Sequence, residues 1–262
     1  MLNVSQIISM KSKKKIVILT AYDSLMASLL EASGVDIILV GDSAGMIFAG
    51  HDTTIPVTME DMLYHGKAVK RGTKDTFIVM DMPFMSYQAS VEEALKNAGR
   101  LMKDTQANAV KLEGGEEIIP QIKALVKAGI PVMGHIGLQP QSVNIYGGYP
   151  VQGESEKEKN ELIKSAKLLQ EAGVFAIVLE KTKKETAKAI TKSVRVPVIG
   201  IGAGKDCDGQ VLVTQDMLGF FEKFSPKFVK KYENIARKIK KAVKTYALEV
   251  RTGKFPGNKN SF

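Results

Sequence analysis

AVKLEGGEEIIPQIKALVKAGIPVMGHIG, residues 109 to 137, contains the unit from which the fold is read. AVKLEGG (109 to 115) and IPVMGHIG (130 to 137) are short, continuous apolar runs of the kind that form strands. EEIIPQIKALVKAG (116 to 129) repeats its apolar residues at the 3.6-residue helical period and ends on Gly, as helices prefer. A strand apolar on both faces, then a helix, then another such strand, calls for a parallel sheet covered by helices. The first strand also poses a question. Alternate side chains of a strand share a face, so Lys111 and Glu113 point the same way, a cation and a carboxylate aimed at an interior.

The same pattern extends in both directions. Further strand runs are IVILTAYD (16 to 23), DIILVGD (36 to 42), FIVMDMP (77 to 83), FAIVLE (175 to 180), VPVIGIGAG (196 to 204) and, more weakly, QVLVTQDMLG (210 to 219). Helical periodicity marks MEDMLYHGKAVKRG, VEEALKNAGRLMKD and EKNELIKSAKLLQEAG, and Thr58 with Asp61 predicts a capping box at the first of these. Eight strands alternating with helices over about 250 residues favour an α/β fold of the closed (β/α)₈ TIM-barrel type. The chain reads as one such domain over 1–262, with a helical C-terminal tail at about 226–250. A doubly wound open sheet is the alternative, but TAYDSLMASLL after the first strand lacks its G-x-G-x-x-G loop. GIGAG, with Gly200, Gly202 and Gly204, comes late and reads either as a phosphate loop or as a tight turn.

Composition narrows the setting. With 262 residues, 44% of them hydrophobic, the chain can bury a full core. No apolar run approaches the roughly 20 residues that span a bilayer, and MLNVSQIISMKSKKK places its charges after its apolar part, the reverse of a secretory signal. The expected compartment is the cytoplasm, with no membrane partner. The one cysteine, Cys207, excludes an intramolecular disulfide framework and a multi-cysteine zinc site, and reads as a structural or incidental thiol. The net charge of +9 raises nucleic acid as a partner, yet the basic residues cluster poorly. KSKKK (11 to 15) is short, and the lysines from Lys223 to Lys244 alternate with Phe228, Val229, Ile235, Ile239 and Val243 as on a solvated helix face. No nucleic-acid partner is expected.

Polar residues gather at the C-terminal ends of the strands, where barrel enzymes place their active sites. Asp42 and Ser43 end the second strand, Asp81 the third and Glu180 the sixth; Lys111 and Glu113 lie on the fourth and His135 on the fifth. Singly, each is ordinary as a helix cap or a hydrogen-bonded core residue. Together they need partners, because buried charges are costly unless paired with each other, a metal or a substrate. Three converging carboxylates, Asp42, Asp81 and Glu113, would repel unless a hard divalent cation binds them. The scarcity of nitrogen and sulfur donors favours Mg²⁺ over zinc. Such an ion keeps positions open for the oxygens of a 2-oxo acid, whose anionic end Lys111 would complement. Polarising that carbonyl acidifies the next carbon, and the chemistry then needs a base. Glu180 is the candidate, set against a plain salt bridge to Lys181, Lys183 or Lys184.

These motifs resemble the ketopantoate hydroxymethyltransferase family. The matching stretches are LTAYD (19 to 23), VGDSAGM (40 to 46), HDTTIPVTMEDMLYH (51 to 65), DMPFMSYQ (81 to 88), NAGRLMK (97 to 103), AVKLEGG (109 to 115), GHIGLQPQSVNIYGGYPVQG (134 to 153) and IGIGAGKDCDGQVLV with DMLG (199 to 219). The resemblance implies a barrel enzyme binding one Mg²⁺ per subunit. It would transfer a one-carbon unit from 5,10-methylenetetrahydrofolate to 3-methyl-2-oxobutanoate, giving 2-dehydropantoate for pantothenate synthesis through a metal-stabilised enolate. It further implies Asp42, Asp81 and Glu113 as metal-site acids, Asp42, Ser43, Asp81 and Lys111 as substrate contacts, Glu180 as proton acceptor, His135 near the site, and a cytoplasmic homodecamer. A Mg²⁺-dependent barrel lyase or mutase acting on another 2-oxo acid is the alternative reading. Two departures from the family pattern stand out. Met85 occupies a position where a small residue, usually Gly, is expected, and KDTQANAV replaces a Gly-containing approach to the fourth strand.

Overall fold

The computed structural model describes residues 2–222 and 226–262. Lys223, where the basic stretch begins, lies outside the described residues. The chain divides into two units at Leu212/Val213.

The first unit is a closed barrel of eight parallel strands in chain order: β1 (Ile16–Thr20), β2 (Ile37–Val40), β3 (Phe77–Asp81), β4 (Ala109–Glu113), β5 (Val132–Gly137), β6 (Ala176–Glu180), β7 (Val198–Ile201) and β8 (Gly209–Leu212). Helices Ser24–Ala32, Met59–Arg71, Val91–Thr105, Ile119–Lys127, Glu156–Ala172 and Lys184–Ser193 follow the first six strands. The expected capping box is present: the Thr58 side chain accepts from Asp61 N–H while the Asp61 carboxylate accepts from Thr58 N–H.

Strand alternation sorts the buried residues into two clusters. Ile38, Val40, Ile78, Met80, Val110 and Leu112 face the helices. Ile18, Leu39, Val79, Ala109, Met133, Val178 and Val211 fill the barrel, which Ile7 and Met10 of the N-terminal segment also join. Lys111 and Glu113 share the face of Ala109 and continue this inner column toward the strand end. They therefore stand above an apolar filling rather than within it.

The seventh strand–helix unit departs from expectation. β7 and β8 are parallel neighbours, yet only residues 202–208 connect them and no helix intervenes. The chain turns back through GIGAG, with Gly202 at φ 63° and Gly204 at φ 84°, a left-handed region that glycine enters freely. The Gly204 carbonyl accepts from Gln210 Nε2 at 2.9 Å. The glycines make a return turn. Cys207 is fully buried in this connection, packed against Gly200, which fits a structural thiol.

The second unit contains the short helix Thr214–Met217 and the helix Ile235–Arg251, which starts later than the tail expected at about 226. No helix of the described residues is long and apolar enough to cross a membrane.

Candidate active site

Strand register brings the polar residues into one layer at the C-terminal mouth of the barrel. Asp81 is paired with Lys111, Glu113 with His135, and Gly137 with Glu180 along neighbouring strands. Asp42 and Ser43 follow β2 after one residue, Gly41. The Asp42 N–H donates to Asp81 Oδ2 at 3.1 Å, an approach that Gly41 permits because a Cβ there would lie 2.8 Å from Ser43 Oγ and 3.3 Å from Asp81 Oδ2.

Lys111 is the centre of the layer. Its Nζ lies 2.9 Å from Asp81 Oδ1, 3.0 Å from His135 Nδ1 and 3.9 Å from Glu113 Oε1. Burial opposes its charge, but Asp81, Glu113 and Asp42 outweigh burial and hold the ammonium firmly protonated. His135 spans two acids, with Nδ1 3.5 Å from Glu113 Oε1 and Nε2 3.4 Å from Glu180 Oε2. Burial and Lys111 push its proton off, yet Glu113 and Glu180 prevail and hold it up to about 9. This answers the opening question: the cation and the carboxylate face inward because each is matched across the strands.

The acids differ among themselves. Burial would raise the Glu113 carboxyl, but His135, Lys111 and the Gln141 N–H hold it below the ordinary carboxylate range. Burial raises Asp81 despite Lys111. Burial, together with Asp81 and Glu113, pushes Asp42 well above its usual value. Asp42 is thus the acid short of positive charge. Three buried carboxylates, Asp42, Asp81 and Glu113, face one lysine and one histidine, and among the described residues Asp42 forms no ion pair.

Among the described residues, no three or more His, Cys, Asp or Glu side chains are grouped to hold a metal ion by themselves. Asp42 and Asp81 are immediate neighbours, whereas Glu113 is drawn toward Lys111, His135 and the Gln141 N–H. A hard ion such as Mg²⁺ is commonly held by one or two carboxylates, with water and substrate oxygens completing the shell. The Asp42–Asp81 pair fits that donor set.

Glu180 ends β6 with its side chain 18% exposed, the most open acid of the layer. Its charged partner is His135, not Lys181, Lys183 or Lys184. Lys181 Nζ donates instead to the Tyr149 carbonyl, and its backbone, at φ 43°, accepts from Gln152 N–H at 2.9 Å. The lysine beside Glu180 ties down the 146–153 loop. Met85, in the loop after β3, is half exposed and sits at φ 61°.

Charge counting missed several neutral residues. Ser43 Oγ lies 2.8 Å from Tyr22 OH. Tyr87 OH lies 2.9 Å from both the Glu113 carbonyl and Gln141 Oε1, either of which can accept its one proton, and Gln141 bonds to both Asp42 and Glu113. Each belongs to a stretch quoted for the resemblance, LTAYD, DMPFMSYQ or GHIGLQPQ. Nothing in spacing distinguishes an amide or phenol that orients an acid from one that packs.

Comparison with known proteins places these observations. The sequence profile of the ketopantoate hydroxymethyltransferase family matches residues 1–258. The chain is 58% identical over 261 residues to a 3-methyl-2-oxobutanoate hydroxymethyltransferase of Clostridium kluyveri, covering 99% of this chain and 93% of the relative. It is 57% identical over 249 residues to the protein of that name in Caldicellulosiruptor saccharolyticus, covering 95% and 94%. Among solved structures it is similar to a phosphoenolpyruvate phosphomutase of Streptomyces platensis subsp. rosaceus, with TM-score 0.65, 15% identity and coverage of 96% and 88%. A phosphonopyruvate hydrolase solved with oxalate and Mg²⁺ aligns at TM-score 0.64 and 16% identity, covering 99% and 93%. At such identities the structures share the barrel fold.

Proposed function

The chain belongs to the ketopantoate hydroxymethyltransferase family, and from that premise we propose that it transfers a hydroxymethyl unit from 5,10-methylenetetrahydrofolate to 3-methyl-2-oxobutanoate, giving 2-dehydropantoate. The observation that carries this reading is the division of labour in the polar layer: Asp42, buried beside Asp81 and in no ion pair among the described residues, and a separate, more open acid at Glu180.

In this reading Asp42 and Asp81 hold the divalent cation, Mg²⁺, and Glu113 steadies the layer through Lys111 and His135. When bound, the cation polarises the 2-oxo group and makes the neighbouring C–H more acidic. Lys111 places positive charge under the anionic end of the substrate, and the Ser43 hydroxyl, held by Tyr22, contacts the same end. Glu180 removes the proton from C3. His135, whose Nε2 lies 3.4 Å from Glu180 Oε2, orients Glu180 for that transfer. The methylene bridge opens at one nitrogen to an iminium, whose carbon the enolate carbon attacks. Water then displaces the second nitrogen, so both carbon–nitrogen bonds break and the water oxygen becomes the hydroxyl. The C3 proton held by Glu180 and one proton of water pass to the two folate nitrogens, releasing tetrahydrofolate. Family membership sets aside a lyase or mutase acting on another 2-oxo acid.

The assembly and compartment that go with this reading are a homodecamer in the cytoplasm, with small-molecule substrates as its ligands. Light scattering on the purified protein tests the decamer. The activity is tested by following 2-dehydropantoate from both substrates, with either substrate omitted or EDTA added. Glu180→Gln is expected to lower turnover by about 10² or more, the scale of losing a general base, while 3-methyl-2-oxobutanoate still binds. Wild-type turnover in that variant would remove Glu180 from the role.

A further inference from the structure

One buried amide joins two of the acids described above. Gln141 lies in the short 3₁₀ turn Pro140–Ser142 after β5 and is 4% exposed. Its main-chain N–H donates to Glu113 Oε2 at 3.0 Å. Its side-chain Nε2 donates to Asp42 Oδ2 at 2.8 Å and to the Met82 carbonyl at 2.9 Å. Its Oε1 meets Tyr87 OH at 2.9 Å and Gln88 Nε2 at 3.1 Å. A primary amide offers two donor hydrogens and one acceptor oxygen, so every polar atom of this side chain is engaged. The Met82 carbonyl can only accept, which fixes the NH₂ end toward it and toward Asp42.

The consequence is geometric. Asp42 hangs from the loop after β2 and Glu113 from the end of β4, with Asp81 of β3 between them. Left to themselves, buried like charges would drift apart or take up protons. One residue from the β5 loop instead grips an oxygen of each and anchors to the backbone just after β3. Groups that orient the ligands of a metal contribute strongly to its affinity even though they never touch it.

We propose that Gln141 is a positioning residue for the reaction, setting Asp42 relative to Glu113 and thereby the affinity of the Asp42–Asp81 pair for a divalent cation. The proposal rests on the reading of that pair as the cation site, and the test separates the two. Mn²⁺ is titrated into the purified protein without substrate, and free Mn²⁺ is read by its paramagnetic resonance signal. Wild type, Gln141→Met and Gln121→Met are compared. Methionine keeps the length and bulk of glutamine and removes its donors. Gln121 is also buried and reaches the Tyr87 carbonyl at 3.3 Å, but it touches none of the acids, so it controls for general damage.

Gln141→Met is expected to weaken Mn²⁺ binding about 10- to 100-fold, the usual range for such supporting groups, with Gln121→Met binding as wild type does. Excess cation should restore turnover in Gln141→Met, which packing damage would not allow. No Mn²⁺ binding by wild type would overturn the cation site and this proposal with it. Binding by wild type and Gln141→Met alike, or equal losses in both variants, would overturn the proposal alone. Should Gln141→Met fail to fold, Tyr87→Phe removes the hydroxyl that steadies the Gln141 amide; a few-fold loss of Mn²⁺ affinity is then expected, and unchanged affinity would refute the role.

Discussion

Replacing Lys111 by Met is expected to unbalance the polar layer more than any other single change. The ammonium is 3% exposed and lies 2.9 Å from Asp81 and 3.9 Å from Glu113, with Asp42 also in its field. Methionine refills most of the volume, so the loss is electrostatic. At an effective dielectric of about 20, each contact carries roughly 4–6 kcal/mol of attraction, much of it offset by the cost of burying the charge. Breaking a buried pair from one side costs about 3–5 kcal/mol, because the partner charges remain buried and unmatched. For a chain of this size that corresponds to a fall of roughly 6–20 °C in Tm.

The pH dependence distinguishes this cause from packing. Asp42 and Asp81 are already held above the ordinary carboxylate value and rise further without Lys111. A group whose folded pKa lies above its unfolded one loses its stabilising contribution as pH rises through the folded value. The gap in Tm between wild type and Lys111→Met should therefore widen as pH rises above the ordinary carboxylate range. The chain has no Trp, so the transition is followed by circular dichroism or calorimetry. A gap that stays constant with pH, or a Tm within about 2 °C of wild type, would refute the charge balance described here.

Other expectations are more local. Met85 and Gln106 hold left-handed backbone, at φ 61° and 56°, without being glycine. Met85→Gly and Gln106→Gly should each gain about 0.5–1 kcal/mol, the left-handed penalty less the extra unfolded-state entropy of glycine, read by denaturant unfolding. The Glu31 carboxylate is disfavoured by burial, but N–H groups of Asp75, Lys74 and Thr76 and the Thr76 hydroxyl outweigh this and lower it to about 2. Its folded pKa is depressed, so its contribution is present above about 4.5 and disappears as pH falls through about 2. The Tm difference between wild type and Glu31→Gln should shrink over that window. Gly41→Ala puts a methyl 2.8 Å from Ser43 Oγ and 3.3 Å from Asp81 Oδ2, and should raise KM for 3-methyl-2-oxobutanoate while leaving most of the stability intact.

The barrel is legible because runs such as DIILVGD and FIVMDMP are apolar on both faces, and only a helix-covered parallel sheet buries both. The polar layer is legible for the complementary reason: charges at apolar strand ends need partners, and Lys111 and Glu113 announce them. What stays hidden depends on contacts across strands. The partner of Glu180 is His135, set by the β5–β6 register, whereas sequence spacing suggests the adjacent lysines. Gln141, Tyr87 and Tyr22 carry no charge and leave no trace in a charge count. The missing helix between β7 and β8 is likewise a closure property, expressed locally only in two glycines that phosphate loops also use. Ile7 and Met10, in the first fifteen residues with their weak pattern, join the barrel filling, a role that only the closed barrel defines.

The central claim is that Glu180 takes the C3 proton of a substrate seated at Asp42 and Asp81. Its most direct test is proton exchange: the protein is incubated in D₂O with Mg²⁺ and 3-methyl-2-oxobutanoate, with and without tetrahydrofolate, and the C3 proton is followed by NMR. The account expects exchange that EDTA abolishes and that Glu180→Gln reduces by about 10² or more. No exchange by the wild-type protein under any of these conditions, or undiminished exchange by Glu180→Gln, would contradict it.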